Sequence, residues 1–352
     1  MSLTDRGQAR LDILVSDTET PCGVEAFARR LAATAGDRAA LRQLGHGRGD
    51  GVLVINLPVV AWKRRLADPV LAAAKARAQG RPVLVILHEW ADLDWKRRAS
   101  YAPLLPFATA VLVSSPEVAD QLAADPLSRL APRRRGIVPI PPNVVAPDTL
   151  PMNATARRLA EARRGGQLVL GHFGSIYPRK QSTQILDLTA ALKQRGEDPF
   201  AVFIGSFVKG QDRVEDEFRA RADSLGIADR VLVTGYVASD ADLFALFAEV
   251  DVFAYLFAEG LTSRRGSVLA CAMSGRPVVV NAPERPGAFD HHPTYQRLLA
   301  GGQLRLVPLH ATVDAVAAAV EEATALPRHG ARLDVAASWR DALAAVDQVM
   351  AA

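Results

Sequence analysis

The feature that most constrains this chain is the recurrence of short, nearly unbroken runs of Val, Ile and Leu, each followed by a helix-length interval. In the first half they fall at LDILVS (11–16), VLVINL (52–57), PVLVILHE (82–89) and AVLVSS (110–115). A strand that is apolar on both faces belongs to a parallel sheet covered by helices on either side, because alternation is expected only where one face meets water. Helical patterns at 24–35, 67–79, 94–107 and 116–124 supply those covers, so residues 1–145 read as a doubly wound α/β domain. The proline-rich segment RGIVPIPPNVVAPDTLPMN (135–153) cannot sustain a helix or a central strand and reads as an extended linker. Six further strand runs follow at 167–175, 200–206, 230–237, 251–257, 276–282 and 304–309. They define a second domain over 154–334, and 335–352 has the apolar spacing of a closing helix.

Length agrees with this division, since 352 residues exceed one ordinary core and suit two. With 49% hydrophobic and 23% charged residues the composition is that of a globular protein. No run of about twenty apolar residues offers a membrane-spanning helix, and the polar opening MSLTDRGQAR lacks the apolar core of a signal peptide. The expectation is a cytoplasmic protein, with peripheral membrane contact and oligomeric state left open. Cys22 and Cys271 are too few for a disulfide framework or a thiolate metal cluster.

Ligands of doubly wound sheets sit outside the carboxyl ends of the strands, where loops lead into helices. After the first strand, Gly23 opens a helix and lets backbone N–H groups approach a phosphate or sugar, although taken alone an ordinary helix-entry turn is the preferred reading. The loop is not a GxGxxG fingerprint, which disfavours a nicotinamide dinucleotide. His88 closes the third run and is suited to proton transfer or hydrogen bonding. WKRR occurs at 62–65 and 95–98. Each copy could lie against an anionic acceptor or lipid head groups, but a solvated helix face with one Trp tucked beneath is the preferred reading. These scattered clusters form no recognition element, which argues against nucleic acid.

In the second half GHFGSIYPRKQ places Gly174 and Ser175 in a turn and Arg179 and Lys180 near a helix start. Cations there neutralise a phosphate, while small residues let it approach the backbone. The stretch EGLTSRRGSVLACAMSGRP repeats that logic. Glu259 and Gly260 are followed by Thr262, Ser263, Arg264, Arg265 and Ser267, leading into a helix whose small side chains imply close packing on the sheet. Hydroxyls, arginines and a helix amino end suit a pyrophosphate, and a carboxylate beside them suits sugar hydroxyls. Asp290, His291 and His292 invite a metal, but adjacent histidines beside a proline rarely have ligand geometry, and no metal is expected.

Together these segments resemble the GT-B glycosyltransferases, specifically the retaining family numbered four, or group 1. The resemblance is strongest from 168 to 282. It implies two tandem Rossmann-like domains facing a central cleft, an acceptor side in the first and a nucleotide-sugar site in the second. GVE at Gly23 and the strand-end His88 match by position. The family's G-R-x4-K-G segment keeps Gly174 and Lys180 here but has Ser175 where Arg is expected. VLVTGYVASDADLFALFAEVDVFAYLF is similar to the family's nucleotide-base strand and the helix and strand after it. Of the E-x7-E motif, Glu259 matches the first carboxylate, which contacts the transferred sugar. The second is missing, its place falling on Ser267 or, aligned through ACAMSGRPVV, on Ala270. This resembles a divergent branch in which Arg264 and Arg265 replace the charge lost at Ser175. The resemblance implies transfer from a UDP- or GDP-linked sugar, without a cofactor, to an unknown sugar, lipid or small-molecule acceptor in polysaccharide, glycolipid or glycoconjugate synthesis. A catalytically silent nucleotide-binding or partner-stabilising protein, or a nucleotide-sugar epimerase, remains the alternative.

Overall fold

The computed structural model describes residues 9–17, 22–44, 49–91, 93–177, 181–208, 213–325 and 334–352, apart from the side chain of Arg64. The chain forms two compact units. The first holds Met1–Asn143, Asp290–Pro293 and Ala336–Ala352, and the second holds Val144–Phe289 and Thr294–Val335.

The first unit is a six-stranded parallel sheet of β1 (Leu11–Leu14), β2 (Ala39–Arg42), β3 (Val52–Leu57), β4 (Val83–Leu87), β5 (Ala110–Val113) and β6 (Arg135–Ile137), in the order β2-β1-β3-β4-β5-β6. Every residue of β1, β3, β4 and β5 is buried, as central parallel strands require. The sequence pattern does not reveal β2 or β6. β2 is AALR, with no apolar run, and β6 lies inside the segment read as linker, where an edge position tolerates the prolines that follow. α1 (Gly23–Ala35), α2 (Asp68–Ala78), α3 (Trp95–Tyr101) and α4 (Pro116–Ala124) cover the sheet. The single helix expected over 94–107 is instead α3 followed by a 3-10 stretch over Ala102–Phe107, because Pro103 and Pro106 cannot donate α-helical bonds.

The second unit contains β7 (Leu168–Phe173), β8 (Pro199–Ile204), β9 (Val231–Val233), β10 (Val252–Tyr255), β11 (Val278–Asn281) and β12 (Leu304–Val307), all parallel, ordered β12-β11-β10-β7-β8-β9. Its helices are α5 (Ala154–Arg164), α6 (Ser182–Gln194), α7 (Val214–Ser224), α8 (Asp240–Glu249), α9 (Gly266–Met273), α10 (Pro293–Ala300) and α11 (Val313–Thr324). Alternate residues of β8 feed two apolar layers. Phe200, Val202 and Ile204 pack with α5, α8 and α9, whereas Ala201 and Phe203 pack with α6, α7 and α11. The strand order is that of dinucleotide-binding folds, and it reverses between β7 and β10, which opens a crevice at their carboxyl ends.

Helix α12 (Val335–Ala351) closes the chain on the first unit. Trp339 packs against Phe27 of α1 with ring centroids 5.3 Å apart, and Asp347 pairs with Arg38 at 2.8 Å. Among the described residues no helix is long and apolar enough to cross a membrane.

Candidate functional site at the switch point of the second unit

At the switch point β7 and β10 pair only briefly. Their register runs from Val252 opposite Leu170 to Phe253 opposite Gly171. Beyond that a side chain replaces the backbone ladder. The buried Tyr255 hydroxyl donates to the carbonyl of Phe173 at 2.9 Å and accepts from its N–H at 3.1 Å. Burial pushes the Tyr255 phenol well above its ordinary range, with the Cys271 thiol 3.3 Å away adding to the effect and the Phe173 backbone and Ser267 opposing it. The phenol is a neutral strut that fixes where the loop after β7 begins.

That loop is built for close backbone approach. Gly174, at φ 122°, donates to Ile204 at 3.0 Å, and a Cβ on neighbouring Gly205 would stand 2.2 Å from the Gly174 carbonyl oxygen. Ser175 is exposed beside it. Arg179 and Lys180, expected at the helix start, lie outside the described residues. Gln181, in a left-handed conformation, leads into α6, whose first residue is Ser182. The Ser182 hydroxyl is buried and has no partner among the described residues.

The loop after β10 is pinned from three sides. Gly260 has φ 71°, and a Cβ there would lie 2.2 Å from the carbonyl oxygen of Ala282, so only glycine passes. The buried side chain of Asn281, at the end of β11, accepts from Phe257 N–H at 3.0 Å. It donates to the carbonyls of Phe257 at 2.6 Å and Leu309 at 3.2 Å, tying the ends of β10, β11 and β12 together. Ser263 is 0% exposed, and its hydroxyl has no partner among the described residues. Thr262 is buried, and Arg264 is half-buried. Arg265 pairs with Glu259 and lies over the Phe257 ring, 4.5 Å from its centroid. Helix α9 begins at the next residue, and Val268–Met273 are buried, as the small-residue pattern requires. Ser267 is bonded to Tyr255, and Ala270 is in the core, so neither position of the second E-x7-E carboxylate supplies a charge.

The fold thus gathers Gly174, Ser175, Glu259, Gly260, Thr262, Ser263, Arg264, Arg265 and Ser267 at the ends of two adjacent strands. Sequence reasoning missed Ser182, Tyr255 and Asn281. An Asn ending an otherwise apolar VVVN strand was the available signal for the last.

Gly23 and His88 belong to the first unit. Gly23 is exposed, and an added Cβ would meet only Asn143 at an ordinary 3.7 Å, so no close approach demands glycine there. His88 follows β4 and is 8% exposed. Its Nε2 is 3.2 Å from Asn56 Oδ1, and its ring meets Phe27 edge-on at 4.9 Å. The two WKRR segments differ. Trp62 is buried, whereas Trp95 is 69% exposed, so the tucked-Trp reading fits only the first. His292 Nε2 lies 3.2 Å from the Ile140 carbonyl, and burial holds His291 below the usual histidine range. Among the described residues no group of three or more His, Cys, Asp or Glu could hold a metal ion.

Residues 167–325 match the family described as Glycosyl transferases group 1. No curated protein matches the chain significantly. Among solved structures the chain is similar to HepE of Anabaena in complex with UDP and glucose, at 16% identity over 98% of each chain with a TM-score of 0.60. It is also similar to WaaG, a glycosyltransferase involved in lipopolysaccharide biosynthesis, at 14% identity over 96% of this chain and 95% of that one, TM-score 0.56. A UDP-forming trehalose-phosphate synthase from Burkholderia xenovorans aligns at 14% identity over 87% and 73%, TM-score 0.56. At such identities the likeness carries the fold, which is GT-B.

Proposed function

We propose that this chain, a GT-B glycosyltransferase whose second unit matches the group 1 family, takes its sugar from a nucleoside-diphosphate donor bound at the β7–β10 switch point. The observation that carries the site is the pair of buried hydroxyls without a partner among the described residues, Ser182 at the start of α6 and Ser263 after β10, on the two sides of the crevice. A dry hydroxyl without a partner is costly, and a bound anion removes that cost. The UDP and UDP-glucose held by HepE favour a uridine donor over a guanosine one.

When the anomeric bond breaks, its electron pair leaves on the diphosphate. Donors already aimed at that oxygen lower the barrier, because they need not reorganise as charge builds. Arg264 and the amino end of α9 are the donors assigned to this role, with Lys180 as the cation the sequence offers; Ser263 and Ser182, buried in the free protein, join them when the loop parts to admit the diphosphate, and no metal is required. Glu259 orients the donor sugar through its hydroxyls. Tyr236, exposed after β9, offers a ring to the nucleotide base. His88, just after β4, contacts the sugar or the acceptor. We assign retention of configuration, and an acceptor from polysaccharide, glycolipid or glycoconjugate assembly, on the resemblance alone.

Incubation with UDP-glucose, UDP-N-acetylglucosamine and GDP-mannose tests this. One donor should release free nucleotide slowly even without acceptor. Nucleotide release from none of them, together with no thermal stabilisation by UDP or GDP, would refute the proposal. A ligand at a hundred times its dissociation constant stabilises by about 2.7 kcal/mol, well within reach of that assay.

A further inference from the structure

We infer that the adjacent arginines have different tasks, and that Arg265 is a positioning residue which holds Glu259 rather than a phosphate ligand. The inference rests on the nucleotide-sugar reading of this site. Arg265 is committed on several sides. One Nη pairs with Glu259 Oε1, and its guanidinium lies over Phe257 at 4.5 Å. Its backbone carbonyl accepts from the Tyr295 hydroxyl at 3.3 Å and from the N–H groups of Val268 at 3.0 Å and Leu269 at 3.2 Å in the first turn of α9. Phe257 is itself fixed by Asn281, so the platform beneath the guanidinium is rigid.

Glu259 needs such a partner. It is exposed, at the tip of a loop, and has no other bond among the described residues. An unrestrained Glu would sample many rotamers and lose entropy on meeting a sugar. With Oε1 held by Arg265, Oε2 is left to accept from sugar hydroxyls in a fixed position. The segment TSRRGS (262–267), which follows Glu259 in a chain that lacks the second carboxylate of the motif, thereby supplies a cation that organises the first. Arg265 then affects recognition of the sugar and leaves recognition of the nucleotide alone.

The test compares wild type with Arg265→Gln, Arg265→Lys, Glu259→Gln and the Arg265→Gln/Glu259→Gln double variant. Calorimetry with UDP and UDP-glucose, and with GDP and GDP-mannose, is paired with kcat and KM for donor hydrolysis. Arg265→Gln should keep its nucleotide Kd within about twofold while losing tenfold or more in sugar-dependent affinity or kcat. Lys should restore part of the loss, and the double variant should be no worse than Glu259→Gln alone. Equal weakening of nucleotide and nucleotide-sugar binding would place Arg265 on the diphosphate and overturn this inference only. Unchanged sugar-dependent binding and turnover would also overturn it. Failure of wild type to bind any nucleotide would remove the donor reading and this inference together.

Discussion

Replacing Ser263 by Ala separates a binding hydroxyl from a structural one. In the free protein the Ser263 hydroxyl is sealed from water and bonds to none of the described residues. Leaving such a group unsatisfied costs about 1–3 kcal/mol, so removing it should return part of that cost. For a unit of this size each kcal/mol moves the melting temperature by about 2–4 °C. Ser263→Ala should therefore melt at the same temperature as wild type or a few degrees higher. The cavity it leaves is a single oxygen in size, too small to reverse the sign. With nucleotide bound the balance inverts, because a hydrogen bond to a charged phosphate oxygen contributes about 1.5–3 kcal/mol, or roughly ten- to a hundredfold in Kd. The assay is calorimetric denaturation without ligand, followed by titration with UDP. A variant destabilised by more than about 1 kcal/mol, or one that binds UDP as wild type does, would refute the reasoning.

Other consequences arise from the same geometry. Asn281→Ala strands the Phe257 N–H and the carbonyls of Phe257 and Leu309 in a buried setting, and should lower stability by about 2–4 kcal/mol in urea denaturation while weakening nucleotide binding. Gly205→Ala puts a methyl against the Gly174 carbonyl, so the loops after β7 and β8 must separate, and UDP affinity should fall at least tenfold by calorimetry even where the fold survives. Tyr236→Ala, on a 78% exposed side chain, should leave stability within about 0.5 kcal/mol but weaken UDP binding. Burial raises the phenols of Tyr101, Tyr255 and Tyr295. Their contribution to stability is complete below the unfolded value of about 10 and is lost as pH climbs beyond it, so their phenolate absorbance at 295 nm should rise together with loss of circular dichroism.

Much of this was legible in the sequence for a definable reason. The strands of the second unit lie in mostly apolar runs rich in Val, Leu and Phe, and both loops that flank its switch point carry glycines and hydroxyls whose chemistry reads without coordinates. The strands that escaped, β2 and β6, are edge strands of the first unit. One is only partly apolar, and the other is masked by the prolines behind it. The site residues that escaped act through tertiary contacts. Tyr255 reads as an ordinary strand aromatic until its hydroxyl is seen to replace the missing ladder bonds of Phe173. Asn281 looks like a strand terminus until its amide is seen joining three loops. The pairing of Arg265 with Glu259, six residues apart on an irregular loop, has no periodicity from which to infer it.

If the diphosphate of an activated sugar sits where β7 and β10 part, a crystal structure of the protein with UDP will show it most directly. The prediction is phosphate oxygens within hydrogen-bonding distance of Ser263 Oγ and the amino end of α9. UDP bound at any other place, with the Ser263 hydroxyl still unpartnered, would contradict it.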